Sequence, residues 1–332
     1  MIDVDELVAR GDAEALAKLA ESTDKAVAKA ARRGLHKLRS KGMKVAAPQV
    51  VRETPSAPVR AAAAELPSLA SSIDAAGERA IWLVRSERDG VLVFEAYVHE
   101  QNGLTQFRVT ELGRKQWRKL VRELEEPKPH FSVAEVPADY ARAEIEAAYE
   151  RNQATRRAAP VEYTRARQQL GKAPPVAEHP ALSIEAPVPS REDLLRLHET
   201  PECRAWMPEP AEIERTAVKL QEVETSQLLV SPQQKTAAAH DAITRAVREY
   251  FADAGRRERM RKRLLDSAYL MLKRGREADA RIARGAADQF TPEAVSEESP
   301  FALQFFEKCF RLPGEKEEEP KAEKPGGLII PP

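Results

Sequence analysis

The chain has 332 residues, about two domains of ordinary size, with 42% hydrophobic and 32% charged residues. That is too much apolar material for a wholly disordered chain, and only 14 glycines argue against a large all-β protein rich in tight turns. Lys+Arg and Asp+Glu balance at 53 each, so the overall charge points to neither nucleic acid nor a membrane surface, and only local charge could do so.

Twenty-four prolines beside abundant Ala, Glu and Arg suggest helices joined by stiff linkers. Cys203 and Cys309 stand far apart, which fits neither a disulfide framework nor a zinc site and suits a reducing compartment. The first residues, Met1 to Glu6, are acidic where a secretory signal would be basic, and no run approaches the ~18 apolar residues of a membrane helix. The expected location is the cytoplasm.

Over residues 1–44, Leu16 and Leu19, then Val27, Ala30, Ala31, Leu35 and Leu38, keep spacings of three and four, which predicts an apolar face on each of two helices. Residues 1–24 carry seven acids against Arg10 and Lys18, whereas 25–44 carry eight bases and no acid. The run Ala15–Leu19 followed by Thr23–Leu38, with its turn Asp24, Val27, Ala30-Ala31 and the Leu35/Leu38 spacing, resembles a HEAT repeat. The resemblance implies a helical pair that cannot bury its own face and docks on something else. Residues 45–79 read as an Ala/Pro-rich linker.

A small α+β module is expected over 80–136. Asp89-Gly90 and Asn102-Gly103 read as two-residue hairpin turns separating strands at Ala80–Glu87, Val91–Glu100 and Leu104–Leu112, a three-stranded antiparallel meander. Counting out from those turns sets Val98 opposite Ile81 and Phe107, and Ala96 opposite Leu83 and Val109. With Phe94 these form one apolar face. A helix over Arg114–Glu126, striped with Trp117, Leu120, Val121 and Leu124, is expected to cover it.

The remainder reads as a C-terminal helical array. A helical segment spans 137–171, with Asp139 as a cap, and a Pro-rich linker spans 172–189. A helical domain then runs from 190 to 312. Ser190, Ser231-Pro232 and Ser299-Pro300 start helices, another spans about Ala211–Leu229, and Gly255 is expected to break the helix that begins at Ser231. Leu264, Ala268, Met271, Gly275, Ala280, Ala287 and Pro292 resemble one tetratricopeptide repeat, which implies a packed pair of helices. Residues 313–332 read as a disordered tail with the apolar tip Leu328, Ile329 and Ile330, a candidate docking peptide.

No glycine fits a phosphate-binding loop, no GxSxG elbow occurs, and six scattered histidines never reach metal-ligand spacing. His198-Glu199 with Cys203 comes nearest, but Pro201 interrupts the helix, and a helix end with a buried Cys is the plainer account. No catalytic residue, metal or cofactor is expected. Trp82, Tyr97 and Arg108 fall on the second sheet face, either as a surface that stacks a peptide or base, or as packing beneath a helix or linker. Two basic patches stand out: Lys25, Lys29, Arg32, Arg33 and Lys37, and Arg256, Arg257, Arg261 and Lys262. Each is either a phosphate-contacting surface or a solvated helix face. The architecture is expected to be mostly α with a small α+β module. The expected function is a non-enzymatic adaptor that binds another protein. An RNA- or ribosome-associated role using the basic helices stands second, and a motif-free enzyme third.

Overall fold

The computed structural model describes residues 4–20, 22, 25–40, 66–172, 178–228, 231–295 and 298–310. The chain divides into two compact units, 1–63 and 64–332. The described residues are mostly α-helical, with a single antiparallel sheet. None of their helices is long and apolar enough to cross a membrane.

The described residues of the first unit form three helices where two are expected: α1 (Val4–Arg10), α2 (Ala13–Leu19) and α3 (Lys25–Ser40). Gly11, at φ +72°, turns the chain out of α1, and the Asp12 carboxylate caps α2 by accepting from the Ala15 N–H at 3.0 Å. Leu16, Ala31, Leu35 and Leu38 from the expected stripe form its core.

The second unit is built on a sheet of five strands, not three. These are β1 (Ser68–Ser71), β2 (Glu78–Ser86), β3 (Val91–His99), β4 (Gly103–Leu112) and β5 (Val133–Val136), in the order β4-β3-β2-β1-β5. β1 lies in the stretch read as linker. Both turns are wider than two residues: Ser86 pairs with Val91 and His99 with Gly103. Of the two turn glycines only Gly103 takes positive φ, +78°, next to a bulge at Tyr97/Val98. The pairing is therefore shifted, with Ile81 opposite Ala96, Leu83 opposite Phe94, and Phe107 opposite Ala96. A two-residue shift preserves the side-chain alternation, so the apolar face keeps its members.

The helix α4 (Arg114–Glu125) carries the expected stripe but covers the other face. Trp117 packs with Trp82, Val84, Val93 and Val133, and Leu120, Val121 and Leu124 lie against them. β2 and β3 are nearly continuous apolar runs, as strands buried on both faces must be. The face with Ile81, Phe94 and Phe107 is covered instead by α5 (Ala138–Ala154) and α6 (Val161–Leu170). The same apolar core continues into α7 (Arg191–Leu197), α9 (Pro232–Phe251), α10 (Ala254–Lys273), α11 (Glu277–Ala287) and α12 (Pro300–Glu307), with α8 (Pro210–Thr225) beside α9. The sheet and the C-terminal helices thus share one core, and the compositional boundary between a meander module and a helical domain is not a boundary in packing.

Side-chain capping explains the three helix starts expected at serine. Ser190, Ser231 and Ser299 accept from the N–H groups of Asp193, Gln234 and Ala302. Asp139 does not cap α5, because Pro137 holds that position and Asp139 pairs with Arg142 at 2.6 Å. Gly255 does not break a helix. The break falls at Ala252–Asp253, and Asp253 caps α10 through the Arg256 N–H at 2.7 Å, which leaves Gly255 inside the first turn. Part of the expected second linker is packed: residues 180–183 form a 3₁₀ turn with Ala181 fully buried.

His198, at the end of α7, anchors α12. Its ring stacks on Phe301 at 4.1 Å, its Nε2 lies 2.9 Å from the Phe301 carbonyl, and Lys308 Nζ lies 3.2 Å from its Nδ1. A carbonyl only accepts and an ammonium only donates, so the ring is neutral with its proton on Nε2. Burial first, then the Lys308 charge, lowers its pKa to about 3. The unfolded chain, with an ordinary histidine near 6.5, then binds the extra proton between pH 6.5 and 3. This contribution to stability is complete above pH 6.5 and is lost as the pH falls, at up to ~1.4 kcal/mol per unit. His198→Gln keeps a donor and an acceptor without titrating. Unfolding curves from pH 7 to 4 should show a steeper fall for the wild type than for this variant.

Candidate functional site

The polar centre of the second unit arises from spacing on two helices. Arg259, Lys262, Arg263 and Asp266 follow i, i+3, i+4, i+7 and share a face of α10, while Tyr140, Glu144 and Arg151 project from α5. Arg79 lies on the α5-covered side of β2, opposite Val98. Helix packing drives these side chains into one place.

Asp266 is 1% exposed. Its Oδ1 meets Arg79 at 3.1 Å, the Tyr140 hydroxyl at 2.9 Å and His179 Nε2 at 3.1 Å, and its Oδ2 meets Lys262 at 3.0 Å. His179 Nδ1 accepts the Ala181 N–H at 3.2 Å, so Nε2 carries the proton donated to Asp266. Glu144 pairs with Arg79 and, at 3.2 Å, with Lys262. Burial alone would raise the Asp266 carboxyl. Arg79 and Lys262, with the His179 hydrogen bond, outweigh it and hold the group well below the usual carboxylate range. Glu144 is lowered against the same burial by Lys262 and Arg79. Burial pushes the Tyr140 phenol well above its ordinary value and keeps it a proton donor. Beside this cluster Arg263 forks onto Glu100, with contacts of 2.7 and 2.6 Å.

A cavity of about 210 Å³ opens against the cluster. Its wall contains Arg79, Arg151, Arg259, Lys262 and Arg263 against Glu100, Glu144, Glu258 and Asp266, with Ile73, Gly77 and Val98 as the apolar part. Burial lowers the Arg151 guanidinium, and Glu144, Asp266 and Glu100 do not restore it. A second cavity of about 450 Å³ shares Glu100, Arg259 and Arg263 and adds Tyr250, Arg256 and Met207.

The basic run of α10 is therefore largely committed within the fold. Arg256 pairs with Glu212 at 2.9 Å and lies 4.2 Å from the Tyr250 ring centre, Arg261 approaches Glu258 at 4.0 Å, and Lys262 is held by Glu144 and Asp266. Arg257 is half-buried. In α3, by contrast, Lys29, Arg32, Arg33 and Lys37 are exposed, and His36 lies exposed beside them. The side chain of Lys25 falls outside the described residues, as do Leu328, Ile329 and Ile330.

Trp82, Tyr97 and Arg108 do share the second sheet face, but not one row. Trp82 faces Glu95, Glu95 faces Arg108, and Tyr97 lies one step along β3. Glu95 joins all three. It accepts from Trp82 Nε1 and from the Tyr97 hydroxyl, both at 3.3 Å, and Arg108 approaches at 3.7 Å. Trp82 is buried in the α4 cluster, whereas the Arg108 side chain is 70% exposed. Cys203 is fully buried, which pushes its thiol up to about 12. No group of three metal-ligating side chains occurs among the described residues.

The buried cluster itself is absent from the sequence expectations. Its one visible signal is Asp266, set at helical spacing behind the basic run, but two of the acids that meet this run, Glu100 and Glu144, come from elements more than a hundred residues away. Comparison with family models, with curated proteins and with solved structures gave no match.

Removing one partner of a buried charge cluster leaves the others uncompensated. Asp266→Asn should destabilise the protein by ~3–5 kcal/mol, read from denaturant unfolding. Arg79→Met with Asp266→Leu should lose much less than the sum of the two single substitutions, because neither charge is then left alone.

Proposed function

We propose that the protein is a non-enzymatic cytoplasmic adaptor whose α3 face engages an acidic segment of another protein. The carrying observation is the contrast between its two basic helices. Lys29, Arg32, Arg33 and His36 fall at i, i+3, i+4, i+7 on one exposed face of α3, and among the described residues Lys29 and Arg33 have no acidic partner. Among the described residues, the hydrogen bond of Arg32 is to the Ala20 carbonyl, at 3.3 Å. On α10, by contrast, Arg256, Lys262 and Arg263 are met by acids of the same unit. The HEAT-like and tetratricopeptide-like resemblances support the reading, since helical pairs of those families serve as docking surfaces.

An RNA-associated role is the second reading, and it rests on the same face, because the committed cations of α10 have little to offer a phosphate backbone. Affinity capture by the full-length chain, with and without nuclease, separates the two. A protein partner retained after nuclease, and lost with Lys29→Glu/Arg33→Glu or at raised salt, is the expected result. Loss on nuclease treatment would transfer the face to RNA, and retention by the charge-reversed variant would remove α3 from the contact.

A further inference from the structure

The cavity beside Asp266 has more positive charge than its own carboxylates neutralise. Five cations line it, Arg79, Arg151, Arg259, Lys262 and Arg263, against four acids. One of those acids, Glu258, has a side chain 70% exposed and lies nearest Arg261, at 4.0 Å, which is not part of the lining. The three enclosed acids are each engaged: Asp266 by Arg79 and Lys262, Glu144 by the same two, and Glu100 by Arg263. Arg259 reaches Glu100 only at 4.0 Å, after Arg263 has taken both oxygens.

Arg151 is left over. Its Nε is enclosed without a hydrogen-bond acceptor, and the side chain makes no ion pair among the described residues. A guanidinium left merely solvated would keep its nitrogens in water. In Arg151, half-buried as a residue, the Nε is shut off from water without an acceptor, which costs the apo protein and which an incoming anion would relieve. Glu144 fixes which way the asymmetry runs. It stands seven residues before Arg151 on α5, two turns away on the same face, yet its oxygens are turned to Arg79 and Lys262.

We propose that this cavity binds a small oxyanion, the phosphate or carboxylate group of a small molecule, with Arg151 and Arg259 as its ligands. A guanidinium presents paired N–H donors at a spacing that matches either group, which an ammonium does not. The volume of about 210 Å³ admits such a group, and the adjoining cavity of about 450 Å³, walled partly by Met207, Tyr250 and Phe305, can take the body that carries it. The site lies wholly within the second unit and does not depend on the α3 reading.

The test uses the full-length chain, with inorganic phosphate and acetate as probes and chloride at equal ionic strength as the reference. Calorimetric titration and thermal unfolding should show saturable stabilisation by at least one probe, and the probe that acts identifies the group. Arg151→Met should lower that affinity at least tenfold while leaving the melting temperature in chloride unchanged or raised, because the variant removes a half-buried cation that makes no ion pair among the described residues. A merely structural arginine would lower it. General salting by phosphate would act on wild type and variant alike. Arg259→Gln provides a second variant should Arg151→Met fold poorly, with the same loss of binding expected. Absence of saturable stabilisation by either probe, or its survival in both variants, would overturn the proposal.

Discussion

Asp266 sits at 1% exposure on α10 with partners from β2, from α5 and from the segment before the 3₁₀ turn, so three elements remote in sequence are fixed against one carboxylate. The surrounding apolar core does not supply that discrimination. Leu264, Ile145 and Ala148 could pack against the sheet in more than one offset, because apolar contacts are non-directional. A slip by one turn of α10 would leave a carboxylate, a guanidinium and a phenol buried and unpaired together, at several kcal/mol. Burying such a network gains little stability in itself. Its effect is to make one docking of helices on sheet far better than its neighbours.

The same constraint shows how much of the fold the sequence discloses. The meander was legible because alternation and turn residues are local, and its faces survived a misjudged turn length because an even shift keeps side chains on their sides. The α4 stripe was legible too, but not the face it covers, since Trp82, Val84 and Val93 make the second face as apolar as the first. β1 and β5 are four residues each and lie next to Pro67 and Pro137. Their strand character comes from pairing with each other and with β2, which no local pattern records. Gly255 misleads for a related reason. A glycine signals a helix end only where the backbone needs it, and here Asp253 ends one helix and starts the next.

The candidate site was less legible than the fold. In sequence, Arg256, Arg257, Arg261 and Lys262 look like a surface charge run. Their partners Glu212, Glu144 and Asp266 decide otherwise, and two of these three are supplied by other helices. Arg151 is the reverse case. Flanked by Glu150 and lying in a helix of mixed charge, it looks well compensated, yet folding turns the nearest enclosed acids to other cations.

Charge balance at the level of composition therefore says little about where charge is free. Equal totals of acid and base could describe a surface of neutral patches everywhere. In this chain the second unit uses buried acids to fix helices in place, and one cation without an ion pair among the described residues, Arg151, lies on a cavity wall. The first unit leaves cations exposed along α3, where its acids are concentrated in the sequence before that helix. A pair buried for docking is unavailable for recognition, and an unpaired cation is available in proportion to how poorly its own chain satisfies it. By that criterion the two proposed contacts, at Arg151 and on α3, fall where cations are poorly satisfied, although the densest run of positive charge in the sequence lies at neither.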